Sequence, residues 1–117
     1  MLLLTVSQGQ EVVAELGRQL RERGVLNAAV ASLIGAVDTC AISNMDAGDA
    51  LKDIVTEYEQ PFELSGTGEV VDGELHLHVV LGKQFNAVLS GHLHSAEVRN
   101  FFVRAYVLPF DAAVSHA

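Results

Sequence analysis

Residues 62–81 read FELSGTGEVVDGELHLHVVL, and this stretch decides the fold. Two extended runs, Phe62 to Val71 and Glu74 to Leu81, flank Asp72-Gly73, a dipeptide whose tolerance of positive φ marks a two-residue hairpin. In the second run, strand alternation sets His76 and His78 on one face, roughly 7 Å apart, and Leu75, Leu77 and Val79 on the other. Downstream, Asn86 to His94 and Glu97 to Leu108 read as two more strands. Upstream, Asn27 to Ile34 and Ala36 to Ser43 read as two strands, or as one strand bent at Gly35. Asn44 to Ala50 reads as a loop. Ala50 to Tyr58 fits a helical stripe and a strand alike; the Ile54-Val55 pair and the following Gln60-Pro61 favour the strand. One helix is expected over Gln8 to Arg23. Val12, Val13, Leu16 and Leu20 recur at helical spacing, Glu11 and Glu15 lie early, and Arg18, Arg21 and Arg23 lie late, with Ser7 as N-cap and Gly24 as stop. The sum is an α+β chain: a largely antiparallel sheet with one main helix packed on a face. Residues 1–110 form a single domain, and 111–117 a flexible tail that holds His116.

Composition narrows the function. The chain has 117 residues, half of them apolar, enough for one core. No run reaches the roughly 20 apolar residues of a membrane helix, and the opening MLLLTV lacks the cationic start and cleavage site of a signal peptide. Cys40 is the only cysteine, sits in a strand-like run, and reads as a buried small hydrophobe in a reducing, cytoplasmic setting. The formal net charge is −8, and from Asp46 to Glu74 only Lys52 offsets the acids. Such a surface repels phosphate, so direct DNA binding is disfavoured.

Four of the five histidines fall within nineteen residues. If Gly82 to Asn86 closes a second hairpin, Leu81 opposes Ala87, and His76 falls directly opposite His92, with His78 and His94 as diagonal neighbours on the same face. Three or four imidazoles then converge on one point. Neutral imidazole suits Zn²⁺ and related divalent ions, and three histidines with an open fourth position can support catalysis. The competing reading makes these histidines metal-free polar residues on the solvent face or at a subunit interface. Glu63, Glu74 and His94 are the candidates for moving protons. No nucleophile elbow surrounds Ser90, and Gly66-Thr67-Gly68 lacks the lysine of a phosphate loop, so it reads as a strand irregularity.

The order of these features resembles the plants-and-prokaryotes-conserved (PPC) domain family, in its stand-alone prokaryotic form. The resemblance rests on Gly9-Gln10-Glu11-Val12, Ala31-Ser32-Leu33-Ile34-Gly35-Ala36-Val37, Pro61-Phe62-Glu63-Leu64, Asp72-Gly73, Leu75-His76-Leu77-His78-Val79 and Gly91-His92-Leu93. It implies a strongly bent antiparallel sheet, assembly as a homotrimer, a divalent metal such as Zn²⁺ on His76, His78 and His92, and a DNA-associated role. The plant members add a basic Arg-Gly-Arg hook that this chain lacks, and their Gly-Arg-Phe-Glu-Ile-Leu signature stands here as Gln60-Pro61-Phe62-Glu63-Leu64-Ser65, without the arginine. Two functions remain open: a trimeric interaction module in regulatory or DNA-associated complexes, and a metal-dependent enzyme acting on a small molecule at the histidine cluster.

Overall fold

The computed structural model describes residues 1–111; the expected tail lies, from residue 112 onward, outside them, and so does His116. Eight strands and one helix follow one another as β1 (Leu2–Val6), α1 (Val12–Glu22), β2 (Ala28–Val37), β3 (Thr39–Asp46), β4 (Asp49–Tyr58), β5 (Phe62–Val71), β6 (Glu74–Gly82), β7 (Val88–Glu97) and β8 (Val103–Pro109). The strands form one sheet in the order β1-β8-β2-β5-β6-β7-β3-β4, antiparallel at every pairing.

Helix α1 buries Val12, Leu16 and Leu20 against β1, β6 and β7. Its N-cap is Glu11, not Ser7: the Glu11 carboxylate accepts from the backbone N–H of Val13 and Ala14 and reaches across to Ala96 N–H at 2.9 Å. A carboxylate thus serves the helix start and ties it to β7, a link Ser7 is too far upstream to make. At the other end, Gly24 takes φ +64° while Gly24 N–H donates to Arg21 and Val25 N–H to Leu20, the paired bonds of a Schellman stop.

The Asp72-Gly73 hairpin is present, with φ +50° and +82° at its two central residues. Residues 49–58 are a strand, as expected, but the loop before it shrinks to Ala47-Gly48, because β3 continues through Asp46. The irregularity expected at Gly66 to Gly68 lies instead on the facing strand: β5 pairs with β6 in unbroken register, and the register of β2 shifts between Val30 and Leu33. The break between β2 and β3 falls at Asp38, not Gly35.

That break bends the sheet. Val37 ends β2 opposite Phe62, the first residue of β5, whereas Thr39 begins β3 opposite Glu97, the last residue of β7. These are opposite ends of the intervening strands, and one residue spans them, so the sheet folds across itself. Asp38 holds the corner by accepting hydrogen bonds from the backbone N–H of Arg99 and Asn100 and from the Asn100 side chain, at 2.7 to 3.2 Å. Partial burial raises its carboxyl pKa, but these bonds outweigh that effect and the net value lies below the usual one. The fold closes a core of Leu, Val, Ile and Phe62 around α1; Cys40 lies inside it, 3% exposed, and burial pushes its thiol up to about 11. Among the described residues the opposite face of the strands carries no helix, and the described fold is a slab 19 Å thick in its shortest dimension.

Candidate metal centre

On β6, Leu77, Val79 and Leu81 point into the core, so alternation turns His76 and His78 to the uncovered face. On β7, Leu93 is buried and His92 shares that outer face. The two strands form the expected hairpin, but its register differs. Leu81 pairs with Leu89, and His78, not His76, stands opposite His92. The connection keeps its expected length of five residues but lies one residue further along, at Lys83 to Ala87, where Gln84 to Asn86 form a 3-10 turn with Phe85 and Asn86 at positive φ, closed by Lys83 N–H donating to Ala87. The slip amounts to two residues, and a period of two leaves every side chain on its expected face.

The side chains still bring His76 close. Ring centroids are 4.4 Å apart for His76 and His92, 4.9 Å for His76 and His78, and 6.1 Å for His78 and His92. One ring nitrogen from each of the three falls within 4.8 Å of the others. Around a tetrahedral zinc at ~2.0–2.1 Å, imidazole nitrogens stand roughly 3.4 Å apart, a spacing that small rotations of these exposed rings reach. The donor set fits a borderline divalent ion with an open position. His92 is the least exposed of the three. Burial, together with the neighbouring imidazoles His76, His94 and His78, lowers its pKa below the usual histidine range, while Asp53 opposes the shift. The neutral, ligand-competent ring is therefore favoured near neutrality.

His94 stands apart from this trio. Ala41 pairs with Ser95 and Ile42 with Leu93, so His94 is the extra residue of a β-bulge. Its ring remains 4.7 Å from that of His92, but its Nε2 lies 2.8 Å from the hydroxyl of Ser43, a residue only 3% exposed. The structure does not bring Glu63 or Glu74 into the group. Glu63 sits opposite Gly82, four residues along β6 from His78, and Glu74 sits at the hairpin end opposite Val71.

Two acids not singled out in the sequence lie closer. Glu69 stands directly opposite His76, and Asp53 lines the concavity over the imidazoles. The signal for Glu69 was present: a two-residue turn at Asp72-Gly73 sets 71 against 74, and counting back reaches Glu69 and His76. Asp53 had no such signal, because β4 joins the site only through its pairing with β3. The concavity, about 920 Å³, is walled on one side by Ser32 to Ile34 of β2 and on the other by Met45, Ala50 and Asp53 of the β3–β4 hairpin. Its floor is tight. A Cβ on Gly66 would lie 2.3 Å from the carbonyl oxygen of His78, so the glycine permits the close approach of β5 and β6 beneath the imidazoles.

The architecture is a mostly antiparallel open sheet with one helix, and its outer face carries a three-imidazole group. Solved structures share this fold. A metal-containing protein of Archaeoglobus fulgidus is 34% identical, with a TM-score of 0.81 over 96% of this chain and 80% of that one. A plant- and prokaryote-conserved protein of Pyrococcus horikoshii is 24% identical, with a TM-score of 0.81 over 97% of this chain and 80% of that one. A candidate DNA-binding protein of Bacteroides thetaiotaomicron is 21% identical, with a TM-score of 0.83 over 97% of this chain and 80% of that one. No curated protein matches the chain. The chain belongs to the Plants and Prokaryotes Conserved (PCC) domain family, which its residues 1–111 match.

Proposed function

We propose that this chain is a cytoplasmic, metal-binding PCC-domain protein that works as a homotrimeric interaction module in regulatory or DNA-associated complexes, with a divalent ion, zinc in the first instance, on His76, His78 and His92. The convergence of three ring nitrogens within 4.8 Å carries the reading. The metal content stated for the 34% identical Archaeoglobus fulgidus protein supports it. A net charge of −8 makes contact through protein surfaces more favourable than contact with phosphate. Assembly is supported by apolar side chains on the uncovered face and on edge strand β4, where Leu51 is 97% exposed and Ile54 and Val55 about half exposed. No helix among the described residues is long and apolar enough to cross a membrane.

A second reading, a metal-dependent small-molecule enzyme, is favoured by one observation: the triad opens into a concavity that also holds Asp53 and Ser43. An ion there would polarise a substrate oxygen or activate water, with Asp53 or the Ser43–His94 pair placed to handle the proton.

Elemental analysis and native mass of the purified, untagged protein test the proposal. About one ion per chain in a trimer is the expected result, with His76→Ala lowering metal affinity at least 10-fold while the fold persists. A metal-free protein, or unchanged metal content in His76→Ala, removes the metal site, and a monomer removes the trimeric module.

A further inference from the structure

The sheet register places hydroxyls around the imidazole pair in an ordered way. One cross-strand row runs Thr67, His78, His92, Ser43, and the adjoining row on the same face runs Ser65, Val80, Ser90. All of these residues line the concavity. Ser43 is engaged by His94, whereas the side-chain hydroxyls of Thr67, Ser65 and Ser90 bond to no other group among the described residues, and Ser90 uses only its backbone carbonyl, towards Asn44. These hydroxyls therefore line the same concavity as the imidazoles. Ile34, Val80 and Met45 give the wall an apolar part, beside the polar Ser32 and Asn44.

The charge inventory is equally specific. Among the described residues, neither lysine nor arginine lines the concavity, and Asp53 is its only carboxylate. Among the groups that line the concavity, Glu69 lying outside it, neutral imidazoles, a divalent ion and Asp53 leave one positive charge, which a monoanion cancels. A phosphomonoester carries close to two negative charges near neutrality. It would overshoot that balance and find no guanidinium or ammonium to hold it, in a protein already at −8.

We infer that the concavity is a receptor for a small, non-phosphorylated aliphatic hydroxycarboxylate, whose carboxylate lies at the ion, whose hydroxyl bonds the Thr67, Ser65 and Ser90 group, and whose chain lies against Ile34, Val80 and Met45. The inference rests on the metal reading above and adds the ligand class to it. A concavity of this volume falls in the range that accepts small ligands.

The test loads the intact protein with Co²⁺, whose visible bands report the ligand sphere, and titrates it with 2-hydroxyisocaproate, with isocaproate lacking the hydroxyl, with 3-phosphoglycerate and with inorganic phosphate. The expected result is a change in the cobalt bands with 2-hydroxyisocaproate, binding about 10-fold weaker for isocaproate, and weaker still for both phosphates. Thr67→Val and the double variant Ser65→Ala/Ser90→Ala should weaken 2-hydroxyisocaproate about 10-fold and leave cobalt content unchanged. If cobalt binds but the phosphates match or exceed the hydroxy acid, or if the hydroxyl variants bind it as wild type does, the ligand class is wrong and the metal site stands. If cobalt does not bind, the metal reading itself fails, and the ligand class goes with it.

Discussion

His92 is the imidazole on which the others converge, with the rings of His76 and His94 within 4.7 Å of its own. Its pKa lies below the ordinary 6.5, because burial and the adjacent imidazoles disfavour the cation. As pH falls, the unfolded chain takes up this proton before the folded one. The contribution to stability is therefore full above about 6.5 and is lost as pH falls through the lower folded value. Thermal melts of the metal-free protein should show a midpoint that drops between pH 7 and pH 5, and the drop should be smaller in His92→Gln. Much of this centre is legible in the residues themselves. Alternation alone assigns His76 and His78 to one face, and adding Gly91-His92-Leu93 brings in the third imidazole. Glu63 stands apart because its place on β5, opposite Gly82, depends on register, and Glu74, on the same strand as His76 and His78, sits at the hairpin end outside the three-imidazole group. Asp53, by contrast, enters from a strand that is far away in sequence.

At the scale of elements, the site depends on close pairing beneath it. Replacing Gly66 by alanine puts a methyl group 2.3 Å from the His78 carbonyl oxygen, and only separation of β5 from β6 relieves it. Gly66→Ala should cost about 1–3 kcal/mol in chemical denaturation and should also weaken metal binding, since His78 moves with its backbone. The β2–β3 corner offers a separate test. Asp38→Ala removes three hydrogen bonds that tie the 99–100 segment to the bend, and a loss of about 1–3 kcal/mol is expected at pH 7. Asp38 has a depressed pKa, so its contribution is full above 3.8 and is lost as pH falls through the lower folded value; the wild type and Asp38→Ala should converge in stability under strongly acidic conditions. The hairpin at Asp72-Gly73 and the helix were legible because each depends on local backbone preference. The β2–β3 break was not. Gly35 carries a local signal for a bend, whereas Asp38 breaks the strand through partners about sixty residues away.

Across the whole molecule, among the described residues, one α-helix covers one side of an eight-stranded sheet and leaves the other to solvent or to a partner. Strand β4 ends that sheet, and residues 49–57 are exposed along its length. An edge of this kind, with Leu51, Ile54 and Val55 uncovered, gains from pairing or packing with another chain. If the proposed trimer is built through β4, the double variant Leu51→Asp/Val55→Asp should shift the native mass towards monomer and leave metal content at the wild-type level, because neither side chain lines the imidazole concavity. An unchanged trimer would show that β4 does not build the interface. By itself, the sequence determined the helix, the hairpins, the separation of core and outer faces, the absence of a basic surface and the histidines that gather. Each follows from periodicity, turn chemistry or charge, and these act over a few residues. Only the tertiary structure decided the fold of the sheet at Asp38, the register of β6 against β7, and the arrival of Asp53 and Ser43 at the imidazoles. Those depend on pairings between strands distant in the chain, which are selected by the closing of one common core.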